Sequence, residues 1–262
     1  MIFIAFTFSK FIPTPFDHDN MQLTMEDHYI EFYDSNTQTN LNHISQFLSR
    51  TSQRVTGLYN AYNTALTTGE DETCADLEKE IKNLNGPSEL TQLVEEFLFK
   101  RFSQRFKCTN VSYRVPLIVQ THFKFHLDFS PFIFRGITMK AVYKSNTLGV
   151  GLQTPSQFTE KELESVNDSS TINFWAILNN DDSFPLAFGP SYIVDDYGKQ
   201  LQDIDTNNES IPVYYTPKMK VGQFYIFDSF KVPHSGIQLE EHINRISLVL
   251  RCVYFKENLI IK

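Results

Sequence analysis

The 262-residue chain has few cysteines, no basic cluster and no apolar run long enough to cross a bilayer. Each absence excludes something. Cys74, Cys108 and Cys252 are the three cysteines, widely spaced and without a CxxC pair. That argues against a zinc ribbon and implies no disulfide framework, so three reduced thiols are expected in an intracellular, cytoplasmic protein. The formal net charge is −8, with no concentration of Lys and Arg to neutralise phosphates. Nucleic acid and anionic membrane surfaces are therefore poor partners. The apolar stretch Met1 to Ile12 meets Lys10 early and falls well short of the ~20 residues of a membrane span. It has neither the basic n-region nor the small-residue cleavage site of a leader, so a packed or frayed strand is expected there. No internal repeat is visible.

What is there is the composition of a folded protein: 41% apolar residues, with 24 Phe and 12 Tyr. The chain changes character near residue 110. Ile44, Phe47, Leu48, Val55, Leu58, Tyr59 and Tyr62 recur near helical spacing and predict a helix from about Leu41 to a stop at Gly69. A second helix is expected over Thr73–Leu84, ending in an Asn-Gly-Pro turn, and a third over Glu89–Phe106 with Ser88 as its N-cap. The charged residues of these helices read as a solvated face. Beyond Thr109 the runs Val111–Phe129, Ile137–Tyr143, Ile172–Leu178, Ile211–Tyr215, Gln223–Phe227 and Arg245–Phe255 are rich in β-branched and aromatic residues and predict strands. The polar stretch Lys144–Ser170 is long for a loop and is a candidate lid. The expected architecture is mainly β with a helical N-terminal part: residues 1–109 a helical segment, residues 110–262 a sandwich or jelly-roll core, together one continuous unit.

Two segments carry chemistry. "FHLDFS", Phe125–Ser130, sets His126 and Asp128 two apart, so that in a strand an imidazole and a carboxylate share one face. One further His would complete a two-His-one-carboxylate metal site that leaves coordination positions open. Alone, an H-x-D of this kind is weak, because a half-buried strand histidine and a turn carboxylate explain it as well. The second segment, Gly222–Cys252, reads "GQFYIFDSFKVPHSGIQLEEHINRISLVLRC". A turn at Gly222 feeds an apolar strand ending at Asp228; His234 follows Pro233; then Arg245 and Ser247 share one face of a strand. A guanidinium inside a barrel seeks a carboxylate, and a neighbouring hydroxyl can join it.

In this order and spacing the residues resemble the Fe(II)/2-oxoglutarate-dependent oxygenases, and among them the phytanoyl-CoA-dioxygenase-like branch. The likeness covers about Tyr113–Tyr254. It implies a double-stranded β-helix core with His126, Asp128 and His234 as catalytic iron ligands. It further implies that Arg245 and Ser247 hold the distal carboxylate of 2-oxoglutarate. Trp175, in "INFWAILNN", matches an aromatic near that cosubstrate. The cofactors implied are Fe(II), 2-oxoglutarate and O2, and the reaction is hydroxylation of an unactivated C–H with release of succinate and CO2. Asp128 favours hydroxylation, since related halogenases carry a small residue there. The sequence departs from the family at Ser191-Tyr192, where many relatives have Ser-His; the departure touches the branch and not the metal site.

The remaining polar residues are weaker candidates. Arg135 could meet an anionic group of a substrate, or be a solvated loop cation. His122 could orient a ligand, and Lys140 and Asn173 could neighbour the cosubstrate. Asp228 could cap the turn before His234. His18, His242 and Asp181-Asp182 read as solvated loops. The expected partner is a small molecule, a free amino acid or similar polar metabolite; no nucleic acid or membrane is expected. The competing reading is a catalytically silent jelly-roll binding or scaffold protein of the same fold, against which stands the retention of all three ligands and Arg245.

Overall fold

A computed structural model of the chain describes residues 12–13, 30–84, 89–108, 111–114, 125–128, 159, 161, 171–179, 186–190, 193, 212–215, 219–235 and 245–255. The long helix α1, Asn42–Thr68, follows a short 3-10 turn at Thr39–Leu41 and buries Ile44, Leu48, Val55, Tyr59 and Tyr62 at the predicted spacing. Gly69 ends it in the left-handed conformation, φ 75°, and its N–H is given to the carbonyl of Ala65. Helix α2 spans Asp71–Asn83, with Asp71 and Glu72 in its first turn where acidic side chains suit the helix dipole. Helix α3 spans Glu89–Phe102 and buries Leu90, Val94 and Leu98. It stops four residues short of the predicted end. Ser103 takes a positive φ of 56°, and the chain re-emerges as a strand at Phe106.

The larger sheet is antiparallel. Its strands are β2 (Ile30–Asp34), β8 (Gln223–Asp228), β5 (Ile172–Ile177), β10 (Ser247–Tyr254) and β3 (Phe106–Cys108), in that order, with β4 (Ser112–Arg114) also paired to β10. The smaller sheet runs β1 (Ile12–Pro13), β7 (Pro212–Tyr215), β6 (Ala187–Phe188), β9 (His234–Ser235); β1 and β7 are parallel, the rest antiparallel. Strands β2 and β3 come from the N-terminal part, so that part supplies sheet as well as helix. Arg101 of α3 ties it to the edge strand, its Nε 3.1 Å from Oε2 of Glu31 on β2 and a second nitrogen on Oε1. At Gly222, φ 95°, a Cβ would stand 2.4 Å from the side chain of Asn36; the turn into β8 therefore requires glycine.

Strands β5, β8 and β10 are buried on both faces, which is why they read as near-continuous apolar runs. Alternation sorts their side chains. Phe174, Ala176, Phe224, Ile226, Leu248 and Leu250 face α1 and α3. Trp175, Ile177, Tyr225, Phe227 and Val249 face the smaller sheet, meeting Leu186, Phe188, Met219 and Val232. Three layers result: helices, large sheet, small sheet.

One expectation about the cysteines is overturned. Cys108 and Cys252 are not free thiols but form a disulfide; they are register partners on β3 and β10, and both are buried. Antiparallel pairing brings together two residues 144 apart in sequence, which no spacing rule could foresee. Cys74 alone is free. Among the described residues no helix is long and apolar enough to cross a membrane.

Candidate metal centre

His126 and His234 are joined at the backbone before they are joined at the side chain. They form an antiparallel bridge, each N–H 3.1 Å from the other's carbonyl oxygen. His126 therefore sits in a single bridge and not in a continuous strand, while His234 belongs to β9 beside β6. The two rings lie 4.5 Å apart. Asp128 follows in a bend, fixed by its N–H on the carbonyl of Ser229 at 2.9 Å. His126, Asp128 and His234 each offer a ligand atom, all within 4.8 Å of one another. Nε2 of His126 lies 4.0 Å from Oδ1 of Asp128, and Nε2 of His234 lies 3.9 Å from Oδ2. Donors ~2.1 Å from a metal and at right angles to one another lie roughly 3 Å apart, so an ion would need to draw the side chains in by up to about 1 Å.

Protonation suits a cation. Nδ1 of His234 lies 3.0 Å from the carbonyl oxygen of Val232. A carbonyl only accepts, so Nδ1 carries the proton and the lone pair of Nε2 faces the other ligands. Burial, with His126 adding to it, lowers the His234 imidazole to about 4 against an ordinary 6.5, so the ring is neutral near pH 7. Burial alone would raise the Asp128 carboxyl, but the Arg251 guanidinium, helped by His234 and His126, overrides it and holds the carboxyl well below the usual range. The centre thus offers one charged oxygen donor and two imidazole donors. Soft-ligand sites are excluded by the donor set itself, and a metal suited to N and O ligands fits.

Around Asp128 the described residues form a polar network. Arg251, 11% exposed at its side chain, grips Asp128 with Nε to Oδ2 at 3.0 Å and Nη2 to Oδ1 at 3.2 Å. Asn173 donates from Nδ2 to Oδ2 at 2.8 Å. Its own Oδ1 accepts from the hydroxyl of Ser229 at 2.9 Å. Asp228 caps the turn that leads to His234, accepting the N–H of Phe230 at 3.1 Å.

The residues predicted from sequence fall into three groups. His126, Asp128 and His234 are brought together. Arg245, Ser247 and Trp175 are buried: Arg245 just before β10, Ser247 as its first residue, Trp175 on β5. By alternation Ser247 shares the inward face of β10 with Val249 and Arg251. Arg135, His122 and Lys140, together with nearly all of Lys144–Ser170, lie outside the described residues. Arg251 went unremarked in the sequence, yet it makes the strongest contact to the carboxylate. Asn173, a candidate neighbour of the cosubstrate, donates to Asp128.

No family model and no curated protein matches the sequence. Among solved structures, the chain is similar to the iron and alpha-ketoglutarate-dependent endoperoxidase NvfI, at 13% identity and a TM-score of 0.48, over 87% of this chain and 76% of that one. It is also similar to EvdO2 from Micromonospora carbonacea var. aurantiaca complexed with 2-oxoglutarate, at 16% identity and 0.31, over 57% of this chain and 51% of that one. A second structure of EvdO2 matches at 14% identity and 0.35, over 65% and 66%.

Proposed function

We propose that the protein is an Fe(II)- and 2-oxoglutarate-dependent dioxygenase of the phytanoyl-CoA-dioxygenase-like branch, hydroxylating an unactivated C–H of a small molecule. The observation that carries this reading is the convergence of His126, Asp128 and His234 from distant parts of the chain, with His234 neutral and its Nε2 lone pair turned inward. When bound, iron(II) with 2-oxoglutarate and O2 supplies the oxidant for C–H hydroxylation, with release of succinate and CO2. The chain's own part is to bind, orient and exclude water.

Arg245 and Ser247 support the choice of cosubstrate. Arg245 is a cation only 8% exposed, and Ser247 is a buried hydroxyl two residues on. Ser247 lies roughly 13 Å along β10 from Arg251 at ~3.3 Å per residue. The guanidinium of Arg245 suits a carboxylate in two parallel hydrogen bonds. Val249, Trp175 and Ile177 are apolar residues on the same inward side. The two facing sheets support a double-stranded β-helix as the scaffold.

The substrate class we would test first is free amino acids, with Arg135 as the residue to meet a substrate carboxylate; neither nucleic acid nor membrane is part of this reading. The cytoplasmic expectation rested on reduced thiols, and the Cys108–Cys252 disulfide counts against it. Anaerobic addition of Fe(II) and 2-oxoglutarate should give a weak visible charge-transfer band. It should vanish in His126→Ala and weaken in Arg245→Ala. Well-folded protein that shows no band would sink the proposal. Succinate release over a panel of amino acids then tests the substrate class.

A further inference from the structure

The third ligand, Asp128, is supplied by a bend and not by a strand, yet its carboxylate is the most heavily restrained group at the centre. A carboxylate has about four lone-pair sites, two on each oxygen. Oδ2 accepts from Nδ2 of Asn173 at 2.8 Å and from Nε of Arg251 at 3.0 Å, which fills it. Among the described residues Oδ1 accepts once, from Nη2 of Arg251 at 3.2 Å, so one site on Oδ1 remains. Both donors are themselves fixed. Asn173 and Arg251 are register partners on the central strands β5 and β10. Because Oδ1 of Asn173 takes the Ser229 hydroxyl, the amide cannot turn over without losing both contacts.

We infer that Arg251 and Asn173 are positioning residues that hold Asp128 as a one-oxygen metal ligand through Oδ1. This is the oxygen 4.0 Å from Nε2 of His126, although it is the filled Oδ2 that stands 3.9 Å from Nε2 of His234. The inference rests on the metal reading above and deepens it. A carboxylate free to rotate can bind an ion with both oxygens and so occupy a position needed for cosubstrate or O2. With Oδ2 filled from the strand side, that mode is closed, and the open positions of the centre are set by the two residues behind it.

Arg251 has two opposed influences on a cation. Its charge repels one; its planar fork orients the ligand that holds one. Substitution separates them, since lysine keeps the charge and loses the fork. Co(II) titrated anaerobically into the purified protein reports both affinity and, through its visible ligand-field bands, coordination number. Arg251→Lys and Arg251→Gln should each weaken Co(II) binding by about 10- to 100-fold, the range known for residues that orient a ligand. Their bands should weaken too, as Asp128 becomes free to bind through both oxygens. Asn173→Ala should act in the same direction, by about tenfold, and serves as the second test if an Arg251 variant fails to fold. Thermal melts of the metal-free proteins verify that each variant is folded. Arg251→Lys with wild-type affinity and spectrum, or Arg251→Gln binding more tightly than wild type, would make Arg251 a mere counter-charge and overturn the inference while leaving the metal site standing. Wild-type protein that binds no Co(II) would overturn both.

Discussion

The two faces of the strands β5, β8 and β10 are built from alternate residues of the same segments, and they differ in kind. The face toward the helices is apolar from Phe174 and Phe224 to Leu248 and Leu250, with Asp228 at the end of β8 its polar exception. The face toward the smaller sheet is apolar only in its middle, at Trp175, Tyr225 and Val249. Its ends are polar, with Asn173 and Arg251 at one and Ser247 at the other. Side chains on the first face hold the fold; at one end of the second, Asn173 and Arg251 hold Asp128, and Ser247 at the other is assigned to the cosubstrate only in the proposed reading. Because the strand period is two, a register slip of one residue would exchange the two sets and destroy both. Stability and function are therefore separable position by position, although they occupy the same strands.

Phe224→Ala should give the largest stability change. The ring is fully buried against Phe174, Tyr33 and Phe97, and truncating such a residue costs about 3–5 kcal/mol. Denaturant unfolding measures the loss; Co(II) affinity of the folded fraction should stay within twofold. A parallel collapse of metal binding would show that the faces are coupled. Removing the disulfide with Cys108→Ser and Cys252→Ser comes next, at about 2–4 kcal/mol. Cys252 belongs to the helix-side core, so metal binding should again survive although Arg251 is its neighbour. The smallest effect probes the other face through pH. Folded His234 titrates near 4 and its ordinary value is 6.5. Between these values the unfolded chain binds a proton that the folded chain does not, so metal-free protein should gain stability as pH rises from 4 to 6.5, by roughly 1–3 kcal/mol. Asp128, held low, adds the same sign at lower pH: its contribution is present above the ordinary carboxylate value and is lost on acidification. His234→Ala should flatten the limb between 4 and 6.5, and midpoints measured across that range read it directly.

Much of this division was legible before any coordinates. The three helices follow from apolar spacing and Gly69, and β5, β8 and β10 from runs of β-branched and aromatic residues. The triad was legible because H-x-D and a distal His carry a pattern. Arg251 was not, although a signal existed: in "RISLVLRC" the residues Arg245, Ser247, Val249 and Arg251 fall on one face, and a second arginine inside an apolar strand requires a buried anion. Strand β2, five residues with two carboxylates, was not anticipated; Glu31 is buried against Arg101. The two-residue strands β6 and β9 are too short to leave a periodicity at all. The end of α3 depended on Ser103 taking a left-handed conformation, which serine does not advertise.

The disulfide also has a meaning for chain topology. It closes a covalent ring from Cys108 to Cys252, and within that ring lie His126, Asp128, Asn173, His234, Arg245 and Arg251. Helices α1, α2 and α3 hang outside it as a tail. A single break of the backbone anywhere between Asp128 and His234 opens the ring but leaves two pieces that share one bond. The candidate ligand set is thus covalently indivisible: one cut cannot part His126 and Asp128 from His234.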